Sequence, residues 1–301
     1  MALPAVALPR RLSLASRVGA YVALTKPRII ELLLITTLPT MIVAQRGLPP
    51  VWLMLATLLG GALAAGGANA INMVVDRDID KLMHRTRKRP LVTGALTPRN
   101  ALIFAITIEV VAFCELWAWV NLLSAVLAIS ATLFYVFVYT LWLKRTSSQN
   151  IVIGGAAGAV PVLVGWGAVT DSLAWTPVVL FAIIFVWTPP HFWALAVKYK
   201  DDYQAAGVPM LPAVATFKRT AREILFYSVI LVAVSLLLAA VAKLGAIYVV
   251  SASVLGVVFI ALALRLWRQA TPKAAMQLFS YSITYLTLLF VLMAVDVFTK
   301  H

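Results

Sequence analysis

Residues 51–91 read VWLMLATLLGGALAAGGANAINMVVDRDIDKLMHRTRKRPL: an uncharged apolar run through Val75, then three carboxylates, Asp76, Asp78 and Asp80, and six cations between Arg77 and Arg89. A run of that length covers the roughly 30 Å hydrocarbon core of a bilayer as one helix. Similar runs recur to the end of the chain, which is 62% hydrophobic and 12% charged over 301 residues. An ordinary soluble domain carries about twice that charged fraction. The strands of a membrane barrel alternate apolar and polar residues, and these runs do not. The expected fold is therefore all-α, a multi-pass transmembrane helical bundle without a separate soluble domain.

Nine spans are predicted: 29–45, 51–75, 101–119, 122–143, 150–169, 177–197, 223–242, 246–264 and 277–298. With these boundaries, 22 of the 25 Lys and Arg residues fall on the side of the N-terminus; only Arg46, Lys243 and Lys300 fall on the other. Basic loops face the cytoplasm. The N-terminus is expected there, at the cell (inner) membrane, with the C-terminus across the bilayer. A basic tail over 1–28 then precedes a single membrane domain over 29–301. The net charge of +14 is what insertion demands and is no sign of nucleic acid. One cysteine, Cys114, excludes an intramolecular disulfide framework.

Two connections are long, 76–100 and 198–222, after spans 2 and 6. RPLVTGALTPRNA in the first is echoed by VPMLPAVATFKRTA in the second. The echo suggests two four-helix halves plus a ninth helix, an internal repeat built around a central site. Five of the eleven acids open these loops: Asp76, Asp78, Asp80, Asp201 and Asp202. If helical geometry continues beyond Val75, Asn72, Asp76 and Asp80 drift only about 40° per step and share a face, and Asp78 points elsewhere. Two carboxylates and an amide oxygen suit Mg²⁺, which leaves its other positions to water and phosphate. Neighbouring Lys and Arg would stabilise a departing diphosphate. An apolar bundle capped by such a site calls for an anionic head on a greasy tail, a prenyl diphosphate.

Asn72-x-x-x-Asp76-x-x-x-Asp80 at a span end, with a second acidic loop four spans later, resembles the UbiA superfamily of intramembrane prenyltransferases. DRDIDKLMHRTRKRPLVTGAL and TPPHFWALAVKYKDDYQAAGVPMLP are similar to its haem-farnesylating branch. The resemblance implies a Mg²⁺-dependent prenyltransferase. Farnesyl diphosphate would ionise, the 2-vinyl group of haem B would attack, and water would trap the cation as haem O for terminal oxidases. It implies haem A synthase or the terminal-oxidase assembly as protein partners. Asn72, Asp76, Asp80 and Asp202 are then the metal ligands, with Asp76, Asp80, Lys198 and Asp202 catalytic. Lys81, Arg87, Lys88, Arg89 and Lys198 are the diphosphate contacts, and Arg85 lies in the same basic segment. Where relatives that prenylate aromatic acids carry Asp-x-x-x-Asp, this chain has Lys198-x-x-x-Asp202, which leaves the number of Mg²⁺ ions open.

His191 follows Pro189-Pro190 inside span 6, and two readings stand: a core histidine bonded to a carbonyl freed by the prolines, or a ligand or positioning group for haem. His84 is the weaker alternative, and His301 is terminal. Glu109 and Glu115 in span 3 are expected to make packing hydrogen bonds, while Gly60, Gly61, Gly66 and Gly67 permit close helix approach. A quinone or chlorophyllide prenyltransferase is the nearest enzymatic alternative. A transporter would place ionisable groups on both sides of the midplane, and here the acids gather on one.

Overall fold

The computed structural model describes residues 13–299, without the side chains of 28–34. Arg10, Arg11, Lys300 and the side chain of Arg28, all counted in the charge reading, lie outside the described residues, as do His301 and the side chain of Glu31. The helices in order are α1 (Leu14–Thr25), α2 (Pro27–Gln45), α3 (Val51–Val75), α4 (Arg77–Asp80), α5 (Pro98–Trp119) and α6 (Leu122–Leu133). A π-helical segment, Phe134–Leu143, and α7 (Lys144–Thr146) continue α6. Then come α8 (Asn150–Thr170), α9 (Trp175–Lys198), α10 (Lys200–Ala205), α11 (Leu211–Val214), α12 (Phe217–Val241), α13 (Ala246–Gln269) and α14 (Pro272–Thr299). No strand occurs among the described residues.

Eight of these are long and apolar enough to cross a membrane, counting Leu122–Thr146 as one; the described apolar part of α2, Ile35–Gln45, is shorter. With α2 the bundle has the nine helices expected. Each packs on its chain neighbour, and α14 closes the ring against both α2 and α9. Spans 1–4 (α2 to α7) and 5–8 (α8 to α13) are the two halves, and α14 is the ninth helix. The second long loop is entered from α9 just as the first is entered from α3. The repeat is also visible in the caps: Thr97 accepts from the Asn100 amide to start α5, and Thr216 from the Arg219 amide to start α12. These are the threonines of the two echoing segments, each a standard N-cap.

Boundaries differ where charge hid a helix. Helix α12 starts at Phe217 rather than 223, because Lys218, Arg219 and Arg222 ride on its first turns. Within the basic N-terminal segment, α1 is capped by Ser13, buries Ala20 and Leu24, and ends in a left-handed Lys26 (φ 51°). Pro27 then starts α2 with its fixed φ and missing N–H. Helix α1 lies along α3: Asn69 Nδ2 donates to the Thr25 carbonyl at 3.4 Å, and Gly66 lets Thr25 approach. This joint carries Lys26 to the mouth of the bundle.

Candidate active site

The acidic row persists past the end of α3. Asp76 leaves helical geometry (φ −84°, ψ 3°), yet its amide donates to the Asn72 carbonyl and the Asp80 amide to the Asp76 carbonyl, both at 2.9 Å. That i→i−4 ladder keeps Asn72, Asp76 and Asp80 on one face. All three are buried, with Asp76 at 0% exposure. Asp78 turns outward and takes both Arg145 guanidinium nitrogens at 2.7 Å. The bonded guanidinium holds its carboxyl well below the usual carboxylate range.

Each member of the row meets a cation from a different element. Lys26 Nζ donates to Asn72 Oδ1 at 3.0 Å. Lys144 Nζ bonds Asp76 Oδ2, and Arg89 Nη1 bonds Asp80 Oδ2 at 2.6 Å. Asn72 Nδ2 donates to Asp76 Oδ2 at 2.7 Å and to Thr140 Oγ1 at 3.2 Å. Burial, reinforced by the Arg89 and Lys144 charges, pushes the Lys26 amine down to about 7. Asp76 Oδ1 remains buried without a hydrogen bond; the Arg145 guanidinium stands 3.8 Å away. An orphaned carboxylate oxygen beside a second carboxylate and an amide oxygen fits a hard divalent cation. Among the described residues no three His, Cys, Asp or Glu side chains form a ligand cluster, so such an ion would complete its shell with water and phosphate oxygens.

Tyr135 and Tyr139, in the π-helical segment, stack at 5.3 Å between ring centroids within the electrostatic reach of Asp76. Thr140 Oγ1 bonds the Tyr135 carbonyl at 2.9 Å, five residues back, as the wider π turn allows. Gly154 of α8 makes room for the Tyr139 ring, which a Cβ there would meet at 2.3 Å.

The second loop covers the first. Both oxygens of Asp202 accept main-chain N–H groups, from His84 and Arg85, at 3.2 Å each. Asp202, expected among the metal ligands, holds the turn of the basic loop through these two amides. Ile79 and Met83 of one loop pack with Val208 and Tyr203 of the other, and burial pushes the Tyr203 phenol up. The Arg85 guanidinium lies over Tyr199 and Tyr203, 5.6 and 6.0 Å from the ring centroids, and Lys198 Nζ lies 5.6 Å over Tyr199. A break at Tyr199 (φ −108°, ψ 24°) separates Lys198 from Asp202, so the two do not share one continuous helical face. Lys81, Arg87 and Lys88 are exposed, as is Lys198; of the expected diphosphate contacts, Arg89 alone reaches the row.

His191 is buried deeper, about 10 Å along α9 from Lys198 at 1.5 Å per residue. Its Nδ1 lies 2.7 Å from Ser282 Oγ of α14 rather than at a proline-freed carbonyl. Because the Ser282 hydroxyl donates to the Phe279 carbonyl at 2.6 Å, it accepts from His191, which puts the proton on Nδ1 and leaves the Nε2 lone pair free. Trp187 stacks on the imidazole at 4.2 Å, and Phe279 flanks it at 4.7 Å. In α5, Glu109 pairs with Thr132 Oγ1 at 3.2 Å as a packing bond, whereas both Glu115 oxygens are buried without a partner.

Sequence reading missed Lys26, Lys144, Tyr135, Tyr139 and Thr140. The two lysines served only as topology charges; the available signals were a Lys-Pro at the mouth of span 1 and a Lys at the loop-side end of a span rich in Tyr and Thr.

The model of the UbiA prenyltransferase family matches residues 33–292. The chain is 52% identical over 295 residues to protoheme IX farnesyltransferase of Renibacterium salmoninarum, covering 96% of this chain and 93% of that one. It is 55% identical over 283 residues to the protein of the same name from Frankia alni, with 93% and 98% coverage. Among solved structures, digeranylgeranylglyceryl phosphate synthase superposes with a TM-score of 0.75 at 17% identity, over 94% of this chain and 99% of that one. A UbiA homolog from Archaeoglobus fulgidus bound to GPP and Mg²⁺ does so with 0.64 at 18% identity, over 91% and 99%. At these identities the structural likeness shows the fold.

Proposed function

The chain belongs to the UbiA prenyltransferase family, and we propose that it moves the farnesyl group of farnesyl diphosphate onto the 2-vinyl group of haem B. One observation carries the reading: a buried row of Asn72, Asp76 and Asp80, flanked by Lys26, Arg89 and Lys144, at the mouth of an apolar bundle. The names of relatives more than 50% identical supply the acceptor.

The row would hold Mg²⁺ through Asn72 Oδ1, Asp76 and Asp80; the metal supplies charge neutralisation on the departing diphosphate. Lys26, Lys144 and Arg89 bind the same phosphates by charge-assisted hydrogen bonds. The stacked faces of Tyr135 and Tyr139 lie beside the reacting end, where their quadrupoles favour a cationic allylic carbon. Asp202 and the Ile79–Met83–Val208 cluster close the loops over the site and exclude water until the carbon–carbon bond has formed. Water then adds to the resulting cation, giving haem O and diphosphate. His191 offers its free Nε2 to the porphyrin between the Trp187 and Phe279 rings. The distribution of Lys and Arg supports a cytoplasmic N-terminus and cytoplasmic loops in the cell membrane. Haem O made there would serve terminal-oxidase assembly.

The test is purified protein in nanodiscs with haem B and farnesyl diphosphate, read by chromatography of the pigment. Haem O should form with Mg²⁺ and not with a chelator. Asp76→Ala and Asp80→Ala should each lose about a hundredfold or more in turnover while staying folded. Prenylation of 4-hydroxybenzoate with haem B ignored would move the assignment to a quinone-forming enzyme, and near-normal activity in both variants would remove the metal row from the mechanism.

A further inference from the structure

Three cations close on three oxygen ligands, and they arrive from three separate elements. Lys26 comes from the α1–α2 joint, Arg89 from the first loop and Lys144 from the end of the π-helical span. All three partners in the row are buried. Carboxylates so buried cannot stand unpaired, since an uncompensated charge inside a protein is strongly destabilising. Counted at formal charge, two carboxylates and these three cations leave a surplus of one positive charge. A divalent ion entering alone would raise the surplus to three, in surroundings of low dielectric. A diphosphate entering alone, with about three negative charges, would overshoot in the other direction and meet the carboxylates. Entering together, the two bring the chamber back near neutrality.

We propose that Lys144, Lys26 and Arg89 act as built-in counter-ions of the metal row, exchanged when substrate binds. The metal takes the oxygens of Asn72, Asp76 and Asp80, and the released cations take the diphosphate. Metal and diphosphate therefore bind with strong mutual dependence, and Lys144, which pairs with the most buried carboxylate, sets most of it. By linkage the coupling is reciprocal: each ligand tightens the other by the same factor. The inference rests on the metal reading of the row given above.

Equilibrium dialysis of Mn²⁺ against the protein in nanodiscs of neutral lipid, at matched free Mn²⁺ and with or without inorganic pyrophosphate, reads this directly. In the wild-type protein pyrophosphate should tighten Mn²⁺ binding by at least about tenfold. Lys144→Met should bind Mn²⁺ alone about tenfold more tightly than wild type, and the tightening by pyrophosphate should be smaller than in wild type. Mn²⁺ should also raise the melting temperature of Lys144→Met more than that of wild type, because the ion restores a missing counter-charge. Should Lys144→Met fail to fold, Lys26→Met keeps the Lys144–Asp76 pair and frees Asn72 Oδ1, and a smaller change of the same sign is expected. Mn²⁺ binding by these variants no tighter than wild type, with the pyrophosphate effect intact, overturns the exchange. Asp76→Asn separates the two ideas. Loss of Mn²⁺ there leaves the metal reading standing whatever Lys144→Met does, and Mn²⁺ retained at wild-type affinity removes that reading and the exchange with it.

Discussion

At the scale of single residues, the difference between Asp76 and Asp78 shows how one helical turn sorts identical side chains. Two positions apart, the first is sealed from solvent and the second is 60% exposed. Each has a cation, but only the buried one has an oxygen without a hydrogen bond. Lys198 stands at the position where the resemblance implies an Asp in relatives that prenylate aromatic acids. It stands exposed over Tyr199, with three hydrogen-bond donors on its ammonium group. As a proposed diphosphate contact it substitutes for part of the metal's charge. Lys198→Asp changes the local charge by two units and should weaken farnesyl diphosphate binding about tenfold or more, with a steeper Mg²⁺ requirement and haem binding retained. Titrations of substrate and metal measure both quantities, and if neither moves Lys198 has no part in the site.

At the scale of elements, α3 and α5 show what the glycines accomplish. A Cβ at Gly60 would stand 2.2 Å from Glu115 Oε2 and 2.5 Å from Leu116 Cγ; one at Gly67 would stand 2.5 Å from Glu109 Oε1. Gly61, one residue along, has open space around it. The two antiparallel helices approach through Gly60 and Gly67, seven residues and two turns apart, with carboxyl-bearing side chains lying across them. Gly60→Val and Gly61→Val change helix propensity alike, so their difference isolates packing. Gly60→Val should cost about 1–3 kcal/mol more, read as a lower unfolding temperature in detergent. Equal melting of the pair would mean that α5 relaxes away from α3 without penalty.

At the scale of the whole molecule, the ring of helices is closed by α14 packing on α2 and α9, and the two long loops fasten to each other over one end. Asp202 and Tyr203 of the second half hold His84, Arg85 and Met83 of the first. The site thus stands where the repeated halves meet, although its acidic row comes from one half only. Nine spans require the ends of the chain to lie on opposite sides of the membrane. A reporter fused after His301 should be found outside the cytoplasm and one inserted beside Lys144 inside it; both on the same side would break the odd span count.

Alone, the sequence determined the helical class, the placement of the spans and the row at 72, 76 and 80. These follow from hydropathy and from the helical period, which act between residues near in the chain. Charge led to the expectation that the two long loops share a side, and the structure packs them against each other. Only the tertiary structure decided which partner each charge meets. Lys26 and Lys144 stand 46 and 68 residues from the side chains they bond, and Asp202 stands 118 from the amide of His84. Local pattern could assign Asp202 to a metal as readily as to a loop, because carboxylate oxygens can ligate the one and accept hydrogen bonds from the amides of the other. The choice depends on which donors the packed helices bring within about 3 Å of it, and that distance belongs to the fold.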